Sequence, residues 1–282
     1  MHTLTKLVDE YYFSAKQTRE DYDEYSYGLS QPPDGKAYFW FKARRRPDSQ
    51  EPIAKELVFG GPDAAVAILD DRADKLERID ATAVRHEFAL KLSAQNGATV
   101  RHINGSDGTN VIDLGQDYKA WNAIKLGDSN DVIQLGPKGG QVFAGKGRNF
   151  IFADRGRDEI IIAAADDSTC TSASDSNLTT VRYFQQSQDK LRLLFETKGW
   201  VSDDVQERID QALSVLPAGT SLCGRYNAAK DIRGVDEGHV FRFRHGYHDY
   251  IGVDNQACTL IDLEPGVAFF SGPPSNTDVL FL

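Results

Sequence analysis

Five aliphatic residues, Ile124, Ile133, Val142, Ile151 and Ile160, fall at strict nine-residue intervals. A fixed period of this kind constrains the fold more than any single motif, because each repeat must be one structural unit stacked on its neighbours. Six residues before each of the middle three stands a glycine, Gly127, Gly136 and Gly145, with Asp154 in the next place. Two residues before the column the series runs Asn122, Asp131, Gly140, Asn149 and Asp158. An earlier pair, Ile103 and Ile112, keeps the same spacing; the step from Ile112 to Ile124 is twelve, so three extra residues interrupt the register around 116–119.

Physically, a nine-residue unit of this composition is a short strand closed by a tight turn. Small residues let the turn take positive φ, and the β-branched residue points inward. Two units make a coil of eighteen residues, and successive coils pair as parallel strands about 4.8 Å apart. So thin a coil holds one layer of aliphatic side chains, which the Ile and Val column supplies. No unit buries that face alone, so the stack stabilises itself through its neighbours. The expected fold class is mainly β: a parallel β-roll or β-solenoid with flanking α+β capping segments.

The units Gly105 to Asp113 (GSDGTNVID) and Leu126 to Gln134 (LGDSNDVIQ) resemble the nonapeptide G-G-x-G-x-D-x-U-x, the calcium-binding repeat of RTX (haemolysin-type) proteins. Gly145 to Phe152 and Asp154 to Ile161 are looser copies, and the resemblance covers roughly residues 97–163. It implies a right-handed parallel β-roll in which sixth-position aspartates and turn carbonyls of stacked loops hold Ca²⁺. Carried over by position, the sixth places are Asn110, Asn122, Asp131, Gly140, Asn149 and Asp158. The metal-site candidates are Gly127, Ser129 and Asp131, facing Gly145, Gly147 and Asn149, together with Asp158.

The departures open an alternative. Calcium takes six to eight hard oxygens, several of them anionic, and only Asp131 and Asp158 keep the carboxylate. Those two are an odd number of half-coils apart and belong on opposite edges. Lys138, Lys146, Arg148, Arg155 and Arg157 crowd the same loops. They are the cations expected to pair with Asp128, Asp131, Asp154 and Asp158 in a roll that has no metal.

Composition sets the outer limits. The chain has 282 residues, 42 acids against 32 bases and a net charge of −10. That balance argues against a general nucleic-acid binder, which needs a basic face. Apolar runs such as Ile160 to Ala165 fall far short of the roughly 20 residues of a transmembrane segment. Asp9 and Glu10 stand where a Sec-type leader is apolar. Three stretches are expected: residues 1–60 as an aromatic-rich N-terminal cap, 61–166 as the roll, and 167–282 as a C-terminal α+β module. The tyrosines from Tyr11 to Tyr27 read as a short helix, and Tyr38–Phe41 and Glu56–Phe59 as strands around a solvated Arg44-Arg45-Arg46 loop. Leu191, Leu194 and Phe195 are spaced for a helix face. Val205, Ile209, Leu213 and Leu216 stripe a clearer helix that Ser202 is placed to cap. Beyond it, Val240–Phe243, Tyr250–Val253, Thr259–Leu263 and Val267–Phe270 read as strands.

Residues suited to chemistry are few. His239, His245, His248 and Asp249 lie within eleven residues and suit a transition metal by ligand type, but nothing matches H-E-x-x-H. On a strand, His245 and His248 face opposite sides unless Gly246 bends them together. Cys170, Cys223 and Cys258 form no C-x-x-C pair. They read either as reduced buried thiols or, in an exported protein, as a Cys223–Cys258 disulfide. A Cys223 thiolate beside one of the histidines, oriented by Asp236 or Asp249, would make a hydrolase site.

The final Asp278-Val279-Leu280-Phe281-Leu282 resembles the C-terminal signal of RTX proteins exported by type I machinery. Two readings follow. One is a secreted RTX-like protein acting without catalysis as a binding, adhesive or toxin-associated module. Its partner would be a protein or carbohydrate, met by aromatics such as Tyr38, Trp40, Trp121 or Trp200. The other is a small exported hydrolase using Cys223 or the histidine cluster within 220–255, a polysaccharide-modifying β-helix enzyme being a weaker variant.

Overall fold

The computed structural model describes residues 13–18, 22–28, 38–45, 56–58, 64–70, 77–93, 100–115, 118, 120–162, 178–185, 188–254, 259–263 and 279–281. Three strands lead in: β1 (Phe13–Thr18), β2 (Tyr22–Gly28) and β3 (Tyr38–Arg45), paired antiparallel in that order. Tyr22, Tyr25 and Tyr27 therefore lie in a strand where a helix was expected, in keeping with the β preference of aromatics, and Tyr11 and Tyr12 lie outside the described residues.

From β3 onward the chain alternates between two sheets. The larger receives β5 (Ala64–Asp70), β7 (Glu87–Ser93), β9 (Thr109–Leu114), β11 (Val132–Gln134), β13 (Phe150–Phe152) and β15 (Leu178–Arg182). The smaller receives β4 (Glu56–Val58), β6 (Arg78–Asp80), β8 (His102–Asn104), β10 (Asn122–Lys125), β12 (Gly140–Phe143), β14 (Glu159–Ile162) and β16 (Lys190–Leu193). Each strand lies parallel to the one two places before it. The pairing passes through residues 60 and 166 without a break: β3 pairs β5, β4 pairs β6, β13 pairs β15 and β14 pairs β16. The stretch from Leu191 to Phe195 begins in a strand, β16, because Ile160 aligns with Leu191 in the ladder.

The nine-residue column is split between the sheets. Ile103, Ile124, Val142, Ile160 and Leu191 align in the smaller one, and Leu90, Ile112, Ile133, Ile151 and Val181 in the larger. All ten are buried in one core. Two ladders thus replace the single column, because nine residues carry the chain from one sheet to the other and eighteen bring it back to the same sheet. Neighbours such as Val132 and Gln134 flank Ile133 on the opposite face, as the period of two requires. Within the stretch that carries the three-residue insertion, Tyr118 is buried and donates its hydroxyl to the Val100 carbonyl at 3.3 Å.

An intervening segment then adds two helices and three further strands, and the strands extend the larger sheet. It comprises β17 (Gly199–Trp200), α1 (Asp203–Ser214), α2 (Leu222–Lys230), β18 (His239–His245) and β19 (His248–Val253). The chain returns as β20 (Thr259–Leu263) beside β15 and β21 (Val279–Phe281) beside β16, both parallel. The apolar tail is thus the last strand of the smaller sheet, and Val267–Phe270 lies outside the described residues. Val205, Ile209 and Leu213 of α1 pack with Tyr226 of α2 against Phe241, Phe243, Tyr250 and Leu260, forming a second core. The Gln206 amide ties α1 to β18, donating to the Arg242 carbonyl at 2.9 Å and accepting from its N–H at 3.2 Å. Ser202 occupies the N-cap, but its hydroxyl donates to Asp204 instead of accepting from the helix backbone. Helix α2 carried no clear sequence pattern. Among the described residues, no helix is long and apolar enough to cross a membrane.

Candidate functional site

Six of the seven metal-site candidates come together and the seventh does not. The turn holding Gly127, Ser129 and Asp131 lies directly against the turn holding Gly145, Gly147 and Asn149. A Cβ on Gly145 would run into the Gly127 carbonyl, and one on Gly147 into the Ser129 carbonyl; both glycines have positive φ, +66° and +88°. Asp158 precedes β14, on the other sheet.

The sixth-position residues are buried and link one turn to the next. On the Asp131 edge, its Oδ1 accepts from the Asn110 backbone N–H at 2.7 Å and from Asn110 Nδ2 at 2.9 Å. The Asp131 N–H donates to Asn149 Oδ1 at 3.0 Å. On the other edge, Asp158 Oδ1 accepts from the Gly140 N–H at 2.9 Å, and the Asp158 N–H donates to Asp189 Oδ1 at 3.0 Å. Each side chain also gathers its own turn. Asn110 Nδ2 donates to the Ser106 and Gly108 carbonyls, and Asn149 Nδ2 to those of Ala144 and Lys146. Asp158 Oδ2 accepts from the Asp154 N–H, and Asp189 Oδ2 from that of Gln185. Asp189 was missed because residues 163–177 intervene before it; its signal is its place two residues before Leu191, the next rung of the ladder.

Burial acts on these carboxyls more strongly than their donors do. It pushes Asp131 up to about 7 against the pull of the Asn110 donors, with the Asp128 charge adding to the rise. Burial and then the Asp189 charge carry Asp158 to about 7, and burial carries Asp189 to about 6. Among the described residues no cation pairs with Asp131 or Asp158. Of the carboxylates the loop cations were expected to meet, Asp128 has such a partner, Lys146 Nζ lying 3.7 Å from its Oδ2. Asp131 Oδ2 is buried without a hydrogen-bond partner.

This donor set does not fit calcium. The Asp131 stack offers one carboxylate, one of whose oxygens already takes two N–H donors. Carbonyls at Ser106, Gly108, Ala144 and Lys146 accept from asparagine amides, so neutral donors occupy the place where the ion would need several anionic oxygens. No group of three His, Cys, Asp or Glu side chains able to hold a metal occurs among the described residues.

The histidine cluster is divided among separate partners. Gly246 and Tyr247 form the hairpin loop and set His245 and His248 opposite each other across β18 and β19. His248 Nδ1 lies 3.0 Å from both carboxylate oxygens of buried Asp262. His239 Nδ1 accepts from the Asp236 N–H at 2.9 Å, and Asp249 pairs with Arg244 at 2.9 Å. Cys223, in the first turn of α2, is disulfide-bonded. It is therefore not a reduced thiol, and its sulfur carries no thiolate for nucleophilic attack. Cys170 and Cys258 lie outside the described residues.

A further group, unmarked in the sequence, lies on the outer face of the larger sheet. The Arg182 guanidinium sits 5.2 Å from the Phe150 ring centre and 5.5 Å from that of Phe152. Tyr183, its ring 6.5 Å from Phe152, is 51% exposed and has φ +59°. Left-handed backbone at a bulky residue costs about 1–3 kcal/mol and marks a local constraint. Of the aromatics singled out by sequence, Trp121 is exposed and Trp200 packs on the inner core, while the side chains of Tyr38 and Trp40 lie outside the described residues. No protein-family model matches the chain, and no curated protein matches it.

Proposed function

We propose that this chain is a secreted, RTX-like β-roll protein that works as a non-catalytic binding, adhesive or toxin-associated module. The two alternating sheets form the walls of the roll, and the terminal segments cap it. The partner, a protein or carbohydrate, is met on the outer face of the larger sheet around Phe150, Phe152, Arg182 and Tyr183. One observation carries this reading: Tyr183 holds an exposed ring on a backbone conformation that glycine would adopt without strain. A tyrosine kept there at a cost to folding is best explained by what its ring touches. The Cys223 disulfide supports export, since such bonds persist mainly in oxidising compartments.

Tyr183→Gly separates binding from packing. The full-length protein and this variant are applied to arrayed glycans and to immobilised cell-surface proteins, and thermal melts are run in parallel. Binding should fall at least about tenfold, the loss of one aromatic anchor, while the melting temperature holds or rises. Unchanged binding in both Tyr183→Gly and Phe152→Ala would remove the face from the function. The hydrolase alternative retains one supporting feature, the His248–Asp262 pair, in which a carboxylate orients an imidazole. It requires that alanine at His245 and His248 abolish the activity; the binding reading requires that these variants keep it.

A further inference from the structure

Two of the turns described above carry asparagine at the place where the repeat of the calcium-binding family has aspartate. Asn110 and Asn149 stand on either side of Asp131 along one edge of the stack, 21 residues before it and 18 after it. Each amide makes contacts of two kinds. The Oδ1 atoms accept backbone N–H groups, Asn110 Oδ1 from Ser106 in its own turn and Asn149 Oδ1 from Asp131 in the neighbouring one. The Nδ2 groups donate inward to two carbonyls of their own turns, at 2.9 and 2.8 Å for Asn110 and at 3.1 Å twice for Asn149. A bound cation draws carbonyl oxygens together because it is positive, and an amide N–H does the same with a partial charge and no net charge to bury. At Asp131 the corresponding group is an oxygen, Oδ2, which has no partner.

We infer that the amides of Asn110 and Asn149 take the place of interturn calcium, so that this edge of the stack closes without metal and has a single gap at Asp131. The inference stands apart from the binding face, because it concerns the opposite role of the turns, holding the coils together. It also fits the loop cations: a turn closed by neutral amides sets no bound cation against Lys146, which lies 3.7 Å from Asp128 at the surface. Restoring aspartate at 110 and 149 would line three carboxylates along one edge, a set that repels itself until a divalent ion binds.

The test compares thermal melts of the full-length protein in EDTA and in millimolar CaCl₂. The wild type should melt within about 1 °C in the two conditions, against the roughly 2–4 °C that a change of 1 kcal/mol produces in a domain of this size. Asp131→Asn, which supplies the missing N–H, should melt higher in both. Asn110→Asp/Asn149→Asp should melt lower in EDTA and be restored by CaCl₂. Should the double variant fail to fold, Asn149→Ala provides the second reading: its melting temperature should fall equally with and without CaCl₂. A wild type that gains several degrees from micromolar CaCl₂, with the gain lost in Asp131→Asn, would overturn the inference. So would an Asn149→Ala variant as stable as the wild type.

Discussion

Raising the pH from 5 to 8 should loosen the stack, and Asp131 is the residue at which the size of that effect is most directly worked out. In an unfolded chain an aspartate titrates near 3.9, whereas in the fold burial holds Asp131 at about 7. Between those values the folded state keeps a proton that the unfolded state has lost. The associated stability is fully present below about pH 4 and is lost as pH rises through about 7. The full separation is about 3 pKa units, or about 4 kcal/mol at 1.36 kcal/mol per unit. Of this, about 3 kcal/mol falls between pH 5 and pH 8. Asp158 and Asp189 shift in the same direction. Because they interact with each other, their share is not a simple sum. Urea unfolding of the wild type and Asp131→Asn at pH 5 and 8 measures the effect. Wild-type stability should drop across the interval, and the drop should shrink by about 3 kcal/mol in Asp131→Asn, which has no proton to lose. An equal drop in both proteins, or wild-type stability rising with pH, would show that Asp131 is not held protonated by burial.

Two further outcomes follow from the ladder and the turns. Ile133→Ala, at the centre of the larger sheet's inner row and fully buried, should cost about 2–5 kcal/mol in urea unfolding, whereas Gln134→Ala on the other face should cost under about 1 kcal/mol. Gly145→Ala and Gly199→Ala both place a side chain at positive φ, but only Gly145 is packed against another turn. Gly199→Ala should lose about 1–2 kcal/mol from the backbone alone, and Gly145→Ala distinctly more, read as the difference between their melting temperatures.

Much of the architecture was legible along the chain because the repeat is local. A strand of three or four residues, a small-residue turn and one inward aliphatic residue recur every nine positions, so the alignment of Ile124, Val142 and Ile160 follows from counting by eighteen. The same counting placed Asp131 beside Asn149 and put Asp158 on the other edge. It stopped where the count was interrupted. Leu191 and Asp189 belong to the ladder, yet 31 residues separate Ile160 from Leu191, and β20 and β21 join only after the helical segment. Residue type alone also left open what the turn side chains do. Asparagine and aspartate both suit a tight turn; only their burial against neighbouring N–H and carbonyl groups decides that they link the coils. The left-handed backbone of Tyr183, the His248–Asp262 pair and the bonded state of Cys223 are likewise set by contacts between distant segments. Sequence by itself determined the repeating unit and its inward face, because those depend on residues within one half-coil. Tertiary structure decided which atoms link one turn to the next, because burial and hydrogen-bond partners exist only once the strands are laid beside one another.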